Sequence, residues 1–239
     1  MGVDGCRGGW YALRQDAVTG AIHARVWPTF AALLAWASEP AIIAVDIPIG
    51  LRSACGERSC DVAARALLKW PRSASVFPTP VRQTLEANSY AQANSRHREI
   101  TAKGLSKQAF NILEKIAEVD RALRAERRDA ERVFEVHPEL AFMQLQVEQG
   151  GPCGGISVAK RKPDGHHIRL ALLAAAFGTE LDAALAALAE RAAGVARRDD
   201  VVDAFAALWS ARRIAQGKAL ALPRMPERDA VGLPMVIHY

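Results

Sequence analysis

The stretch Ala41-Ile42-Ile43-Ala44-Val45-Asp46-Ile47-Pro48-Ile49-Gly50 decides the fold of this chain. Its apolar, largely β-branched first half predicts a strand over 41–47 that is buried on both faces, and such strands belong to parallel or mixed sheets. Pro48 and Gly50 end the strand just after Asp46, so we expect this carboxylate at the C-terminal end of the strand. Ligands bind at that edge of open α/β sheets.

Other acidic residues also stand at the ends of short apolar runs. Asp4 ends the opening Met1-Gly2-Val3-Asp4, and Glu135 follows Arg132-Val133-Phe134. A buried strand rarely carries a carboxylate unless a cation or a hydrogen-bond donor compensates it. Several such strands therefore predict one shared charged site, which we interpret as a divalent-metal site.

A late helix adds two more acidic candidates. Asp200 and Asp203 are three residues apart, so both project from one face of the helix. Asp203 has apolar neighbours that are typical of a core, whereas Asp200 also fits as an acid in the first helical turn. Asp199 is predicted to be the N-terminal cap, where a carboxylate accepts free backbone N–H groups.

Composition and charge limit the class of protein. The chain has 239 residues, 50% of them hydrophobic, which suits one large domain with a substantial core. Lys and Arg number 31 against 26 Asp and Glu, and the net charge of +5 favours an anionic partner such as nucleic acid, although solvated helix faces explain it equally well. Without a charged leader or an apolar run of roughly 18 residues, we expect a cytoplasmic protein with no membrane partner.

The order of predicted elements indicates an α/β fold, in which an antiparallel N-terminal meander joins parallel strands and helices flank the sheet. We expect a single domain over 1–239 with a helical insertion over approximately 55–130, in which Ile112, Ile116, Val119 and Leu123 form an amphipathic stripe. The predicted strands cover 1–4, 10–14, 21–27, 41–47, 133–136 and 235–239. The predicted helices cover 29–38, 89–103, 106–128, a segment opening at Pro138, 164–177, 180–193 and 199–216.

The chemistry of the acidic residues suggests which metal they bind. Hard oxygen ligands without a His or Cys cluster favour Mg²⁺ or Mn²⁺ over zinc. Two such ions about 3.5–4 Å apart activate water and stabilise the leaving oxygen in phosphodiester hydrolysis. Four or five carboxylates meet that requirement.

The pattern resembles the ribonuclease-H-like superfamily, particularly its Holliday-junction-resolvase branch, with an acid on the first strand, another on the strand after the first helix and an Asp-x-x-Asp pair on a late helix. More closely, the chain is similar to an uncharacterised domain-of-unknown-function family described as predicted nucleases. The segments that carry this similarity are Gly2-Val3-Asp4-Gly5-Cys6-Arg7-Gly8-Gly9-Trp10, Asp46-Ile47-Pro48-Ile49-Gly50-Leu51, Arg58-Ser59-Cys60-Asp61, Ser75-Val76-Phe77-Pro78, Glu135-Val136-His137-Pro138-Glu139 and Asp199-Asp200-Val201-Val202-Asp203-Ala204.

The resemblance implies a ribonuclease-H-like mixed sheet. It also implies that Asp4, Asp46, Asp200 and Asp203 are metal ligands, and that Asp4, Asp46, Asp203 and, as an addition, Glu135 are catalytic. The chain departs from the pattern at Asp46, where related nucleases often have Glu, and this shortens the reach of one ligand.

Five residues are candidates for contact with substrate: Arg7, Arg58, Arg65, His137 and Lys160. Lys160 opens the basic triplet that follows a glycine-rich loop, where a substrate-contacting segment is expected. Three of the others have a competing interpretation as structural residues: Arg58 and Arg65 fit an ion-pair network with Asp61, and His137 fits a strand-to-helix turn. Trp70, in a loop, is the candidate for stacking on a nucleobase.

Three functions fit the sequence. The first is a Mg²⁺- or Mn²⁺-dependent nuclease, a hydrolase that cuts DNA or RNA. The second is an actin-like or sugar-kinase-type phosphotransferase, since Asp4-Gly5-x-x-Gly8-Gly9 also resembles a phosphate loop. The third is a nucleic-acid-binding protein without catalytic activity.

Overall fold

The computed structural model of the chain describes residues 1–37, 41–191 and 194–239, without the side chains of 187–191. The predicted ends of two helices, at residue 38 and at 192–193, lie outside the described residues.

A five-stranded mixed sheet forms the centre of the molecule, in the order β3-β2-β1-β4-β5. Its strands are β1 Gly2–Cys6, β2 Gly9–Gln15, β3 Ile22–Trp27, β4 Ile43–Val45 and β5 Val133–Glu135. The first three pair antiparallel, whereas β4 pairs parallel with both β1 and β5. The predicted meander, the parallel strands and the α/β class are thereby confirmed.

Ten α-helices are described, and they flank this sheet. Those between residues 46 and 132 lie in the long connection from β4 to β5. The ten helices are α1 Phe30–Trp36, α2 Ser59–Leu68, α3 Tyr90–Thr101, α4 Lys107–Asn111, α5 Leu113–Ala125, α6 Arg127–Arg132, α7 Pro138–Glu148, α8 Pro163–Phe177, α9 Thr179–Arg191 and α10 Arg198–Ala215. Within these described helices, none combines the length and the apolar composition that a membrane span needs.

The deciding strand is shorter than predicted. The ladder of β4 covers three residues, and Asp46 adds one more bond because its N–H donates to the carbonyl oxygen of Val3 at 3.0 Å. Pro48 has no N–H to donate, so pairing does not continue beyond this point. The short ladder leaves Asp46 at the edge, where the sequence predicted it.

The long helix predicted over 106–128 is divided into α4, α5 and α6. Ile112 has a non-helical backbone (φ −107°, ψ 2°) and separates α4 from α5. The apolar stripe itself is confirmed on α5, where Ile116, Val119 and Leu123 are buried against the sheet. A stripe fixes which face is buried, but it does not fix where the backbone leaves the helical path.

A second, two-stranded sheet pairs β6 Ala221–Arg228 with β7 Pro234–His238 in antiparallel fashion. The predicted C-terminal strand is confirmed by β7, whereas β6 was not predicted. Pro223 and Pro226 interrupt the strand pattern of β6, and prolines are tolerated there because this is a sheet edge. A parallel bridge between Val136 and His238 connects β7 to the end of β5.

One glycine sets the distance between α10 and the sheet. A Cβ atom at Gly2 would lie 2.1 Å from the backbone nitrogen of Leu208, so α10 reaches this close to β1 only because residue 2 has no side chain. This packing brings the first half of α10, with Asp203, alongside the C-terminal ends of β1 and β4.

Candidate metal site

Asp4 and Asp46 lie side by side on neighbouring parallel strands. Val3 and Val45, the residues before them, are directly paired in the register of β1 and β4, and both belong to the core on the α1 and α5 side of the sheet. Because side chains alternate along a strand, the two aspartates face the opposite side, towards α10. The predicted juxtaposition of these acids follows from this register.

The two acids of α10 have different surroundings. Asp203 is 4% exposed and forms an ion pair with the Lys160 ammonium. Asp200, one turn earlier, accepts the backbone N–H of Arg197 at 2.7 Å. Because α10 begins at Arg198, Asp200 is its third residue, the position whose carboxylate bonds back to the cap residue.

The prediction that Asp199 caps this helix is therefore wrong, because the cap residue is Arg197, two positions earlier. Asp199 instead lies with its Oδ1 3.9 Å from His166 Nδ1. Asp200 takes up the capping bond while keeping its place near the other acids.

The aspartates repel one another. Burial, followed by repulsion from Asp46, Asp203 and Asp200, raises the pKa of Asp4 well above its usual range. Burial and then Asp203 raise the pKa of Asp46 to about 7. Burial raises the pKa of Asp203 although the Lys160 ammonium opposes the rise. Asp4 and Asp203 are buried and Asp46 and Asp200 are partly buried, and the four form one group of acids that a cation would stabilise.

A cleft of about 290 Å³ opens beside this group. Asp4, Asp46 and Lys160 line one part of it, and the long connection between β4 and β5 lines another part with Arg72 and Lys115. The Lys115 ammonium donates to the Gly9 carbonyl oxygen at 2.5 Å. Arg72 Nε is buried and has no hydrogen-bond partner within the described ranges. The long connection between β4 and β5 thus supplies basic side chains and Asp61 on α2 to a cleft whose other acids come from the sheet edge and from Glu139 on α7.

Glu135 points away from the aspartates. It is paired in register with Val45 and so lies on the other face of the sheet from Asp46. Its carboxylate accepts two hydrogen bonds from the Arg58 guanidinium, at 2.8 and 2.7 Å, and one from the Ile49 N–H at 2.7 Å. The Arg58 guanidinium also contacts Asp61 through Nε at 3.0 Å and Nη2 at 2.5 Å.

Arg58, Glu135 and Asp61 are thus one buried ion network, with 2%, 5% and 2% of their respective side-chain surfaces exposed. Of the two interpretations left open for Arg58, this geometry matches the ion-pair network. The guanidinium also donates to the carbonyl oxygens of Ile49 and Gly50, which leaves it little capacity for a substrate.

Glu139 is a neighbour of the site to which the sequence analysis assigned no role. It lines the cleft, and its charge raises the pKa values of Asp46 and Asp203. Arg169, which is fully buried, binds its carboxylate with Nη2 at 2.8 and 2.6 Å. The sequence feature that could have indicated a role for Glu139 is Pro138. This proline opens α7 just after the C-terminal end of β5 and so places Glu139 at the same edge of the sheet as Asp46.

The remaining substrate candidates are dispersed. Arg7 is exposed in the turn between β1 and β2, outside the cleft lining. Arg65 donates to the Glu57 carboxylate at 2.9 Å and to the Val76 carbonyl oxygen at 3.1 Å, and it also lies outside the lining. His137 lines the cleft, where its Nδ1 is buried without a partner in the described part of the chain, and burial lowers its pKa. The structure brings His137 and Lys160 to the acids, but not Arg7 or Arg65.

A comparison with protein-family models identifies the family. The model described as "Protein of unknown function (DUF429)" matches residues 2–228. The chain belongs to the DUF429 family. This match confirms the predicted membership of a domain-of-unknown-function family, and its description assigns no activity. No curated protein and no solved structure matches this DUF429 chain.

The donor atoms of the DUF429 site fit a hard divalent cation. Within residues 1–37, 41–191 and 194–239, no three His, Cys, Asp or Glu side chains are arranged as a ready-made metal site. Asp203 is instead turned to the Lys160 ammonium. Carboxylate oxygens are nevertheless the ligands that Mg²⁺ and Mn²⁺ prefer. Burial and nearby negative charge raise the pKa values of Asp4, Asp46 and Asp203, an effect that a bound cation would oppose.

Proposed function

We propose that this DUF429 protein is a nuclease of ribonuclease-H-like architecture that depends on Mg²⁺ or Mn²⁺ and hydrolyses phosphodiester bonds of nucleic acid. The observation that carries the proposal is a group of four aspartates: Asp4 and Asp46 stand at the C-terminal ends of two parallel strands and line the cleft, and Asp200 and Asp203 on α10 add their negative charge to Asp4. The order of the sheet and the net charge of +5 are consistent with it.

In this proposal the four aspartates hold the cation. A bound divalent ion supplies a more acidic water and neutralises charge on the phosphate group. Arg72 and Lys115, which line the cleft, orient the phosphate backbone by their positive charge. Glu135 and Glu139 keep the cleft in shape through their buried arginine partners and take no part in holding the ion.

The phosphotransferase remains the second candidate, because Gly5 of the glycine-containing turn lines the same cleft as Asp4. The register of β1 and β2 pairs Cys6 with Gly9, which leaves Arg7 and Gly8 as a tight two-residue turn. Titration calorimetry with ATP and Mg²⁺ separates the candidates, since tight ATP binding favours the phosphotransferase.

The nuclease is tested with purified protein and labelled single-stranded, duplex and branched DNA and RNA, in Mg²⁺ and in Mn²⁺. We expect cleavage by the natural protein and a loss of more than about 100-fold in Asp4→Asn, since residues that only support metal ligands already contribute 10- to 100-fold. Asp182→Asn, the same change on the exposed face of α9, is the matched control and retains full activity. Absence of cleavage with either ion, or equal activity in Asp4→Asn, rejects the proposal.

A further inference from the structure

Lys160 places a positive charge inside the group of aspartates. Its ammonium is ion-paired with Asp203, and its side chain lines the cleft together with Asp4 and Asp46. Burial alone would lower the pKa of Lys160, but the charges of Asp203, Asp46 and Asp4 raise it overall. Lys160 in turn lowers the pKa of each of these acids. It therefore acts as their counter-ion.

Two buried arginines near the cleft are bound to other carboxylates. Arg58 is bound to Glu135 and Asp61, and Arg169 is bound to Glu139, each with two or more hydrogen bonds to a carboxylate. A guanidinium held in this way is rigid and geometrically matched to its partner. Lys160 has one ion-pair contact instead, and an ammonium on a four-carbon stem has freedom to rotate away.

The backbone and the side chain of Lys160 differ in how firmly they are held. The preceding residues are fixed, because the Val158 carbonyl oxygen accepts a bond from Arg169 at 3.2 Å and the Ala159 carbonyl oxygen lies where a Cβ atom on Gly165 would be. The Lys160 side chain, however, is 37% exposed, whereas that of Asp203 is 5% exposed. The ammonium has a path to solvent that the carboxylate lacks.

We propose that Lys160 is a built-in counter-ion that occupies the place of the divalent cation, and that the cation binds by displacing the Lys160 ammonium from Asp203 into solvent. This inference rests on the proposed function, since it concerns the same cation. It explains why the acids face one another without forming a ready-made metal site among the described residues. The apo site is stabilised by an ammonium, and the affinity for the cation is reduced accordingly.

The test is Mn²⁺ affinity, measured by the electron paramagnetic resonance signal of free Mn²⁺ during titration. We expect Lys160→Met to bind Mn²⁺ more tightly than the natural protein, on the order of 5- to 150-fold, the usual size of the coupling between two interacting sites. Lys162→Met is the matched control, because it removes the same charge from an exposed side chain two residues away. It should leave the affinity within about twofold, as a screened surface charge does.

A second measurement uses the natural sequence. Mn²⁺ should increase the rate at which an amine-specific reagent modifies Lys160, read by mass spectrometry, because the displaced ammonium is freed from Asp203. The rate at Lys162 serves as the internal reference and should not change. An unchanged rate at Lys160 in the presence of bound Mn²⁺ overturns the displacement.

The outcomes separate the two proposals. Mn²⁺ binding of equal strength in the natural protein and in Lys160→Met, or weaker binding in the variant, rejects the counter-ion and leaves the nuclease standing. If neither the natural protein nor either variant binds Mn²⁺ while all remain folded by circular dichroism, the cation site is absent and both proposals fail.

Discussion

Replacing Arg58 by Met tests whether the Arg58 network stabilises the fold or binds substrate. The substitution keeps an unbranched side chain of similar length and removes the guanidinium. It leaves the carboxylates of Glu135 and Asp61 buried, at 5% and 2% side-chain exposure, without their cation. We expect a large loss of stability and no specific loss of substrate affinity in the fraction that remains folded.

The size of the loss follows from the contacts. Removing one partner of a buried ion pair typically costs about 3–5 kcal/mol, because the other charge is left uncompensated. Arg58 compensates two carboxylates, which argues for the upper part of that range. Glu135 keeps the Ile49 N–H at 2.7 Å and Asp61 keeps the Thr79 hydroxyl at 2.8 Å, and these bonds prevent a still larger loss.

The assay is urea unfolding at neutral pH, compared with Arg65→Met on the same helix. Arg65 pairs with Glu57, with 23% and 41% of the side chains exposed, and donates one hydrogen bond to the Val76 carbonyl oxygen, so its removal should cost only about 1 kcal/mol. The double variant Arg58→Met/Glu135→Gln should recover part of the loss, since it removes one of the stranded charges. A cost below about 1 kcal/mol for Arg58→Met, equal to that of the control, refutes the structural assignment.

Two further predictions concern the cleft. The pKa of Asp46 is about 7 in the folded protein, against an ordinary value of 3.8. Between these two values the folded state binds more protons than the unfolded state. In the absence of divalent ions, the free energy of unfolding should therefore fall as the pH rises from about 4 to 7. Urea unfolding in a chelator should show a flatter slope for Asp46→Asn, and an identical slope contradicts the assignment. Trp70 is 83% exposed, two residues before Arg72 on the cleft wall. Trp70→Ala should weaken single-stranded oligonucleotide binding by about 5- to 150-fold, the effect of losing one stacked base. Trp70→Phe should retain most of the affinity. Equal affinities of Trp70→Ala and the natural protein, measured by fluorescence anisotropy, contradict stacking.

The elements that were predictable from sequence are those specified by local patterns. The strand that ends at Asp46 is encoded by adjacent apolar residues and a following proline, and the buried face of α5 by residues three and four apart. The missed strand β6 has the opposite character, because its prolines and exposed side chains give no alternation, and it exists through its pairing with β7. The residues of β6 alone therefore do not predict that β7 is its partner.

The acids themselves were found from sequence, but their partners were not. Lys160 and Asp203 are 43 residues apart, and Arg58 and Glu135 are 77 residues apart, so neither pair is visible in a window of sequence. The face on which Glu135 lies also depends on its register with β4. A shift of one residue in that register would turn Glu135 towards the aspartates.

The distribution of counter-ions, more than the number of acids, distinguishes the candidate site from the structural network. Glu135 and Glu139 each have a buried arginine with matching bonds to both carboxylate oxygens. In the described part of the chain, Asp4 and Asp46 form no ion pair, and the Lys160 ammonium, which lowers the pKa of both, is bound to Asp203. The glutamates are therefore neutralised by rigid guanidinium groups, whereas the ammonium of Lys160 is shared among several aspartates. Since a buried carboxylate without a cation is costly, the aspartates are where an added cation would gain most, and this is why the proposed divalent ion is assigned to them.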